Sequence, residues 1–160
     1  MGMILNVTLV AAAIGSGLVA GIFFAFSTFI MPAFARLAPE QGIAAMNSIN
    51  VTILRSPFML VFIPTAVLSV LIAVLAVIDW RGSAGIWMLA GAGLYVIASF
   101  ISTIALNVPM NDALAKVSGN GPQAVSVWNT YLKDWTWWNH VRTIASLLSA
   151  VAFVRAVMIL

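Results

Sequence analysis

Four long apolar runs, broken by polar interruptions of very unequal length, dominate the chain. A helix needs about 20 mostly apolar residues to cross a hydrocarbon core of about 30 Å. Runs of that kind extend from about Ile4 to Met31, Phe58 to Ile78, Ala84 to Leu106 and Asn139 to Met158. The first carries no charge, and the last holds Arg155 near its end, where it can snorkel outward. The first run also lacks the basic start of a signal peptide and exceeds a signal core in length, so a retained span is expected.

The connections differ as much as the spans agree. Asp79-Trp80-Arg81-Gly82-Ser83 predicts a tight hairpin between spans two and three. Residues 32–57 and 107–138 are long, and an even number of spans puts both on one face. In the first, Ile43, Met46, Ile49/Asn50 and Ile53 recur at helical spacing and predict an amphipathic helix at the interface, stopped before Pro57. In the second, S-G-N-G-P at 118–122 is a turn signal, followed by a helix leading into span four. The expected fold is therefore all-α. It is an integral membrane four-helix bundle, with two long, partly helical loops on one face and residues 1–160 forming one domain.

Composition agrees with that pattern. Of 160 residues, 63% are hydrophobic and 7% charged, and the mean hydropathy is +1.11. Soluble domains carry roughly a quarter charged residues. The formal charge of +3 is spread along the chain with no Lys/Arg run, which gives no phosphate-tracking stripe and no expectation of nucleic acid. The expected partners are the lipid bilayer and a small hydrophobic aromatic ligand, with a homo-oligomer left open; the expected location is the cell (inner) membrane. With no Cys, disulfides and thiolate metal sites are excluded, and one His argues against a self-contained zinc, non-haem iron or bis-His haem centre. A count of basic residues favours the long loops in the cytoplasm. Set aside Arg55 and Arg142 as functional and the two faces balance.

The polar residues inside the spans form stripes. Gly17 and Gly21 make a G-x-x-x-G pair expected to bring helices close, and Gly91-Ala92-Gly93 is given the same role. Tyr95, Ser99, Thr103 and Asn107 follow at i+4 steps, a line expected to end where Pro109 interrupts N-V-P-M-N. Asn139, Arg142, Ser146 and Ser149 share a stripe of span four, and the two stripes are expected to face each other. Interhelical hydrogen bonding alone would account for the Ser and Thr members.

Arg142 stands about a turn into the span, where it can either snorkel out or point inward at Asn107 and Asn111; pointing inward, it would receive an oxyanion. His140 lies beside that stripe, as a structural histidine or, kept neutral by burial, as a general base. Three tryptophans in W-T-W-W-N-H-V-R-T (135–143) suit an interfacial belt. Yet Trp128, Tyr131, Trp135 and Asn139 or Trp138 recur at 3–4-residue steps and predict an aromatic face fit for a flat apolar ligand.

Together these elements resemble the anthrone-oxygenase-like family of small four-span membrane proteins, most of whose bacterial members have no assigned function. The likeness rests on M-P-A-F-A-R-L-A-P-E-Q-G-I-A-A-M-N-S-I-N (31–50), N-V-P-M-N (107–111) and W-N-T-Y-L-K-D-W-T-W-W-N-H-V-R-T (128–143). The residues that match the family motif are Asn50, Asn107, Pro109, Asn111, Trp128, Trp135, Asn139, Arg142 and Thr143. Fungal members oxidise anthrones to anthraquinones with dioxygen, without metal or flavin, and the resemblance implies that chemistry here with no cofactor beyond dioxygen.

The cast expected for it is His140 as base, with Arg142, Asn139, Asn107 and Asn111 around the oxyanion. Trp128, Tyr131 and Trp135 would bound the pocket, Asn50 would close it, and Tyr95 and Thr103 would add to its wall. Two other readings compete. One is a non-enzymatic membrane protein that binds a hydrophobic ligand or partner subunit; the other is a redox protein binding haem or quinone through His140.

Overall fold

The computed structural model describes residues 2–117 and 121–160, and among these every regular element is helical. Five helices carry the fold: α1 (Gly2–Phe34), α2 (Pro39–Ile53), α3 (Met59–Ile78), α4 (Ser83–Ala115) and α5 (Pro122–Ile159). All but α2 are long and apolar enough to cross a membrane. Their outward positions are apolar as well, with Val7, Ile14, Leu18, Val67, Ile97 and Leu147 all more than half exposed. A helix apolar on every side suits hydrocarbon surroundings, because its backbone groups are already paired internally.

The four long helices are unequal, and the inequality builds the molecule. The 20 residues of α3 rise about 30 Å, whereas the 33 of α1 and of α4 rise about 50 Å. The surplus of α1, α4 and α5 lies on one face, that of the two long connections. There α2 joins them around a second core of Met31, Ile43, Met46, Leu114, Trp128, Tyr131 and Trp135. The helix of the third apolar run does not stop at N-V-P-M-N but continues to Ala115, and the helix expected ahead of the fourth run starts at Pro122 and is continuous with it. The turn signal at 118–122 falls partly on residues 118–120, outside the described residues; Gly121, at φ +113°, adopts a backbone that L side chains rarely reach.

Pro109 is carried inside α4 by a local change of helix type. A proline ring clashes with the carbonyl four residues back and offers no N–H. Both Pro109 and Pro32 follow π-helical stretches, Thr103–Asn107 and Phe26–Ile30, that contain those carbonyl residues, Ala105 and Thr28. Val108 accordingly donates to the Thr103 carbonyl and Met31 to that of Phe26, each five residues back. A third π stretch spans Leu94–Ile101. The wider turns also keep the Tyr95–Asn107 line straight. In a pure α-helix, i+4 steps drift about 40° each, yet Tyr95, Ser99 and Asn107 are all buried.

At the opposite end the bundle closes on small residues, though not the expected pair. Gly17 and Gly21 have open space where a Cβ would stand, so that G-x-x-x-G makes no close approach to another helix among the described residues. Gly15 and Gly91 are the close approaches: a Cβ would meet Thr65 Oγ1 at 2.0 Å and the Phe153 ring at 2.7 Å, respectively. Beside them Ser149 donates to the Gly91 carbonyl at 2.8 Å and pairs with Ser16, and Ser99 pairs with Ser146 at 2.8 Å. The expected hairpin is present, with Gly82 at φ +57° and Arg81 paired to Asp79.

Candidate functional site

A cavity of about 400 Å³ opens where the bundle gives way to the second core. Its walls come from all five helices: Phe23 and Phe26 of α1, Met46, Asn50 and Ile53 of α2, Met59 and Phe62 of α3 with Phe58 just before it, Phe100, Thr103, Asn111 and Asp112 of α4, and Trp135 and Arg142 of α5. The size falls within the roughly 300–1,000 Å³ usual for small-molecule sites. Apolar and aromatic side chains predominate. The π-helical stretches of α1 and α4 supply Phe26, Phe100 and Thr103, and such stretches recur at functional sites.

Arg142 sets the chemistry of this space. Its side chain is turned inward and is only 3% exposed. Nη2 donates to Asn139 Oδ1 at 2.8 Å and Nη1 reaches Thr103 Oγ1 at 3.3 Å. The guanidinium carbon lies 4.4 Å from the Phe23 ring centroid and 5.0 Å from that of Trp135, which supplies cation–π attraction on both sides. Among the described residues no carboxylate stands within ion-pair distance of it, the single ion pair being Arg81–Asp79. A cation within the span costs about 2.5–3.5 kcal/mol at the bilayer centre on insertion scales. Its donor capacity is also unfilled, because Nε is buried without a partner.

Other polar groups converge on the same place. Asn50 Nδ2 and Trp135 Nε1, both on residues that line the cavity, are likewise buried without partners. Buried donors are nearly always bonded; here three open ones stand around one cavity, each able to donate to an electron-rich group. Asn139 does not line the space but holds Arg142. Its Nδ2 donates to the Phe23 carbonyl at 2.6 Å and to Ser27 Oγ at 2.7 Å, which leaves Oδ1 free to accept from the guanidinium. Ser27 also pairs with Thr143, whose hydroxyl donates to the Asn139 carbonyl.

The remaining sequence candidates divide by position. Asn107 donates to the Trp135 carbonyl at 3.2 Å, tying α4 to α5, and Asn111 accepts from the Tyr131 hydroxyl at 2.7 Å. Trp128, Tyr131 and Trp135 stack in sequence, centroids 5.7 and 5.8 Å apart, so the predicted aromatic face exists. Only Trp135 reaches the cavity; Trp128 is packed against Gly42 of α2. Tyr95 lies outside it as well, buried with its hydroxyl on the Phe62 carbonyl.

His140 is the clear correction. Two residues from Arg142, it sits about 200° round the helix, exposed in a surface groove with Lys133, Asp134 and Trp137. Neither the burial expected of it nor a place beside the oxyanion donors is found.

A family model for anthrone oxygenase matches residues 58–152. The chain belongs to the anthrone oxygenase family. No curated protein and no solved structure matches it. The part of the chain matched to the anthrone oxygenases contains Asn107, Asn111, Trp128, Trp135, Asn139 and Arg142, hence the α4 and α5 walls of the cavity and α3 as well. It leaves out α1 and α2, and with them Phe23, Ser27 and Asn50 and the 31–50 stretch on which part of the resemblance rested.

Those α1 residues escaped the sequence reading, which gave span one no chemistry. The signal was I-F-F-A-F-S-T-F-I at 22–30, a density of aromatics unusual for a plain anchor. Asp112, next to the quoted N-V-P-M-N, was also passed over. Among the described residues no group of three or more His, Cys, Asp or Glu side chains gathers to hold a metal.

Proposed function

We propose that this chain is an inner-membrane oxygenase that oxidises an acidic aromatic substrate of the anthrone type, soluble in lipid, with dioxygen. In such a reaction the methylene carbon loses two hydrogens and gains one oxygen atom as a carbonyl, and the second oxygen leaves as water. Deprotonation makes the substrate electron-rich enough to give electrons to dioxygen directly. The negative charge then rests mainly on the former carbonyl oxygen. A fixed cationic donor at that oxygen lowers the cost of forming the anion, and most so where water is excluded.

The single observation that supports this reading is Arg142: inward, buried, without an acidic partner, and with an open Nε in an apolar cavity. Phe23, Phe26, Phe62, Phe100 and Trp135 supply flat surfaces for a fused-ring ligand. Family membership supports the reaction class. The role first given to His140 passes elsewhere, since that side chain shares no cavity wall with Arg142. The test is oxygen uptake by purified protein supplied with anthrone. One dioxygen consumed and one anthraquinone formed per turnover is the expected result. Tight binding of anthrone with no uptake above the buffer rate would favour instead a non-enzymatic carrier of hydrophobic ligands.

A further inference from the structure

With His140 outside the cavity, the proposed reaction has an anion-holding group and no proton acceptor. We propose that Asp112 is that acceptor, a catalytic base placed at the water-facing end of the cavity. This rests on the oxygenase reading above and deepens it.

Three observations carry the assignment. Among the described residues, Asp112 is the only carboxylate that lines the cavity. Among the described residues it is in no ion pair, so its oxygens are not committed to a cation. It also lines a second, separate cleft with Pro109, Lys116, Val117 and Gln123 on the face of the long connections. One side chain therefore borders both the apolar space and a cleft that holds Lys116 and Gln123. A base in such a place can take a proton from a ligand on one side and release it to water on the other. The charged groups that share its surroundings are Arg142 across the cavity and Lys116 in the cleft.

The arrangement also fits the shape of the substrate class. In an anthrone the carbonyl and the acidic methylene lie at opposite ends of the central ring. The anion holder and the base must therefore stand at opposite ends of the cavity, not side by side. Arg142, 3% exposed, bonds to Thr103 of α4, and Asp112, itself exposed, stands nine residues, about 13 Å of helix rise, further along that helix. A ring edge-on between them puts the carbonyl oxygen on the guanidinium and the methylene against the carboxylate. Asp112 then takes one methylene proton, the C–H electron pair moves into the ring system, and the negative charge arrives on the oxygen beside Arg142. The carbon then bonds to dioxygen, which is reduced to a peroxide and takes up the proton held by Asp112; loss of the second methylene hydrogen with cleavage of the O–O bond leaves the new carbonyl and releases water.

Proton abstraction can be measured without oxygen, which separates this inference from the reading beneath it. Wild type, Asp112→Asn and Asp112→Glu are purified in detergent and given anthrone in D2O, first anaerobically and then with air. Deuterium entry into the methylene reports the base, oxygen uptake reports the whole reaction, and quenching of tryptophan fluorescence reports binding. Asp112→Asn is expected to lower both exchange and uptake about 100-fold or more, as loss of a general base does, with anthrone affinity little changed. Rising pH should restore part of the loss as hydroxide replaces the base, and Asp112→Glu should retain intermediate activity. Asp112 is exposed, so the isosteric amide is expected to leave size-exclusion behaviour unaltered. Wild-type exchange in Asp112→Asn would overturn the assignment and leave the oxygenase reading standing. A wild-type protein that neither exchanges the methylene nor consumes oxygen would overturn both.

Discussion

The two ends of the bundle solve opposite problems. At the closed end, Leu9, Ala12, Ile72, Ala76, Ala92, Phe153 and Ala156 are almost wholly buried, and Gly15 and Gly91 let neighbouring side chains come within a Cβ's reach of the backbone. Its polar groups are short hydroxyls that pair with one another or with a carbonyl. At the open end the helices run past the length of a hydrocarbon core, α2 is interposed, and two prolines are absorbed by π-helical turns. There the side chains are large aromatics, and among them a cation and several polar atoms are left without partners. Helix association in lipid draws on packing and hydrogen bonds rather than on expulsion of water. The contrast suggests a division of labour, with the closed end supplying the rigidity that lets the open end keep a cavity and an unpaired charge.

Substitutions can break that division from either side. The largest effect is expected from Arg142→Met, which removes the cation and keeps the bulk. Turnover of anthrone should fall about 10²- to 10³-fold, the usual cost of losing a donor to a developing oxyanion. Thermal stability in detergent should hold or rise, since replacing a buried ionic group by an apolar one is often neutral or stabilising. Oxygen-electrode rates and a melting curve on the same preparation check both halves.

Gly91→Val should do the reverse. Its side chain meets the Phe153 ring, and overpacking of this kind costs typically about 1–3 kcal/mol. A lower melting temperature with unchanged turnover per folded molecule is expected. Gly17→Ala, which faces open space, is the matched control and should move the melting temperature little.

A smaller effect, confined to the open end, is expected from Gly42→Ala. The added methyl meets the Trp128 indole at 2.5 Å, which should lift α2 and its Asn50 from the cavity. Weaker anthrone binding by about tenfold, equivalent to about 1.4 kcal/mol, with little change in melting temperature would locate α2 as a wall of the site. Smallest of all is His140→Ala, for which turnover should stay within about twofold of wild type, as for surface changes generally. A large loss there would return the histidine to the mechanism.

Much of this contrast was legible in the sequence, and the failures have physical causes. The four spans, the α2 helix and the inward stripe of Asn139, Arg142, Ser146 and Ser149 follow from apolar run length and helical period, which local sequence carries directly. Pro109 misled because its usual effect is to end a helix, whereas a π-helical turn moved the clashing carbonyl aside. Gly17 and Gly21 misled because spacing says nothing about which face meets a neighbour. His140 was drawn in as the neighbour of Asn139 beside the inward stripe, although one step along a helix turns about 100° away from that stripe. Phe23 and Ser27 contribute by long-range packing from a span without charges. Asp112 borders the cavity only because α4 continues past the proline.

The proposed chemistry requires that the cavity hold its ligand as an anion against Arg142. The most direct measurement is the absorption spectrum of anthrone bound anaerobically to wild type and to Arg142→Met at neutral pH. Wild type is expected to show the long-wavelength band of the anthrone anion and the variant the spectrum of the neutral ketone. Identical neutral spectra in both proteins, with binding demonstrated, would contradict it.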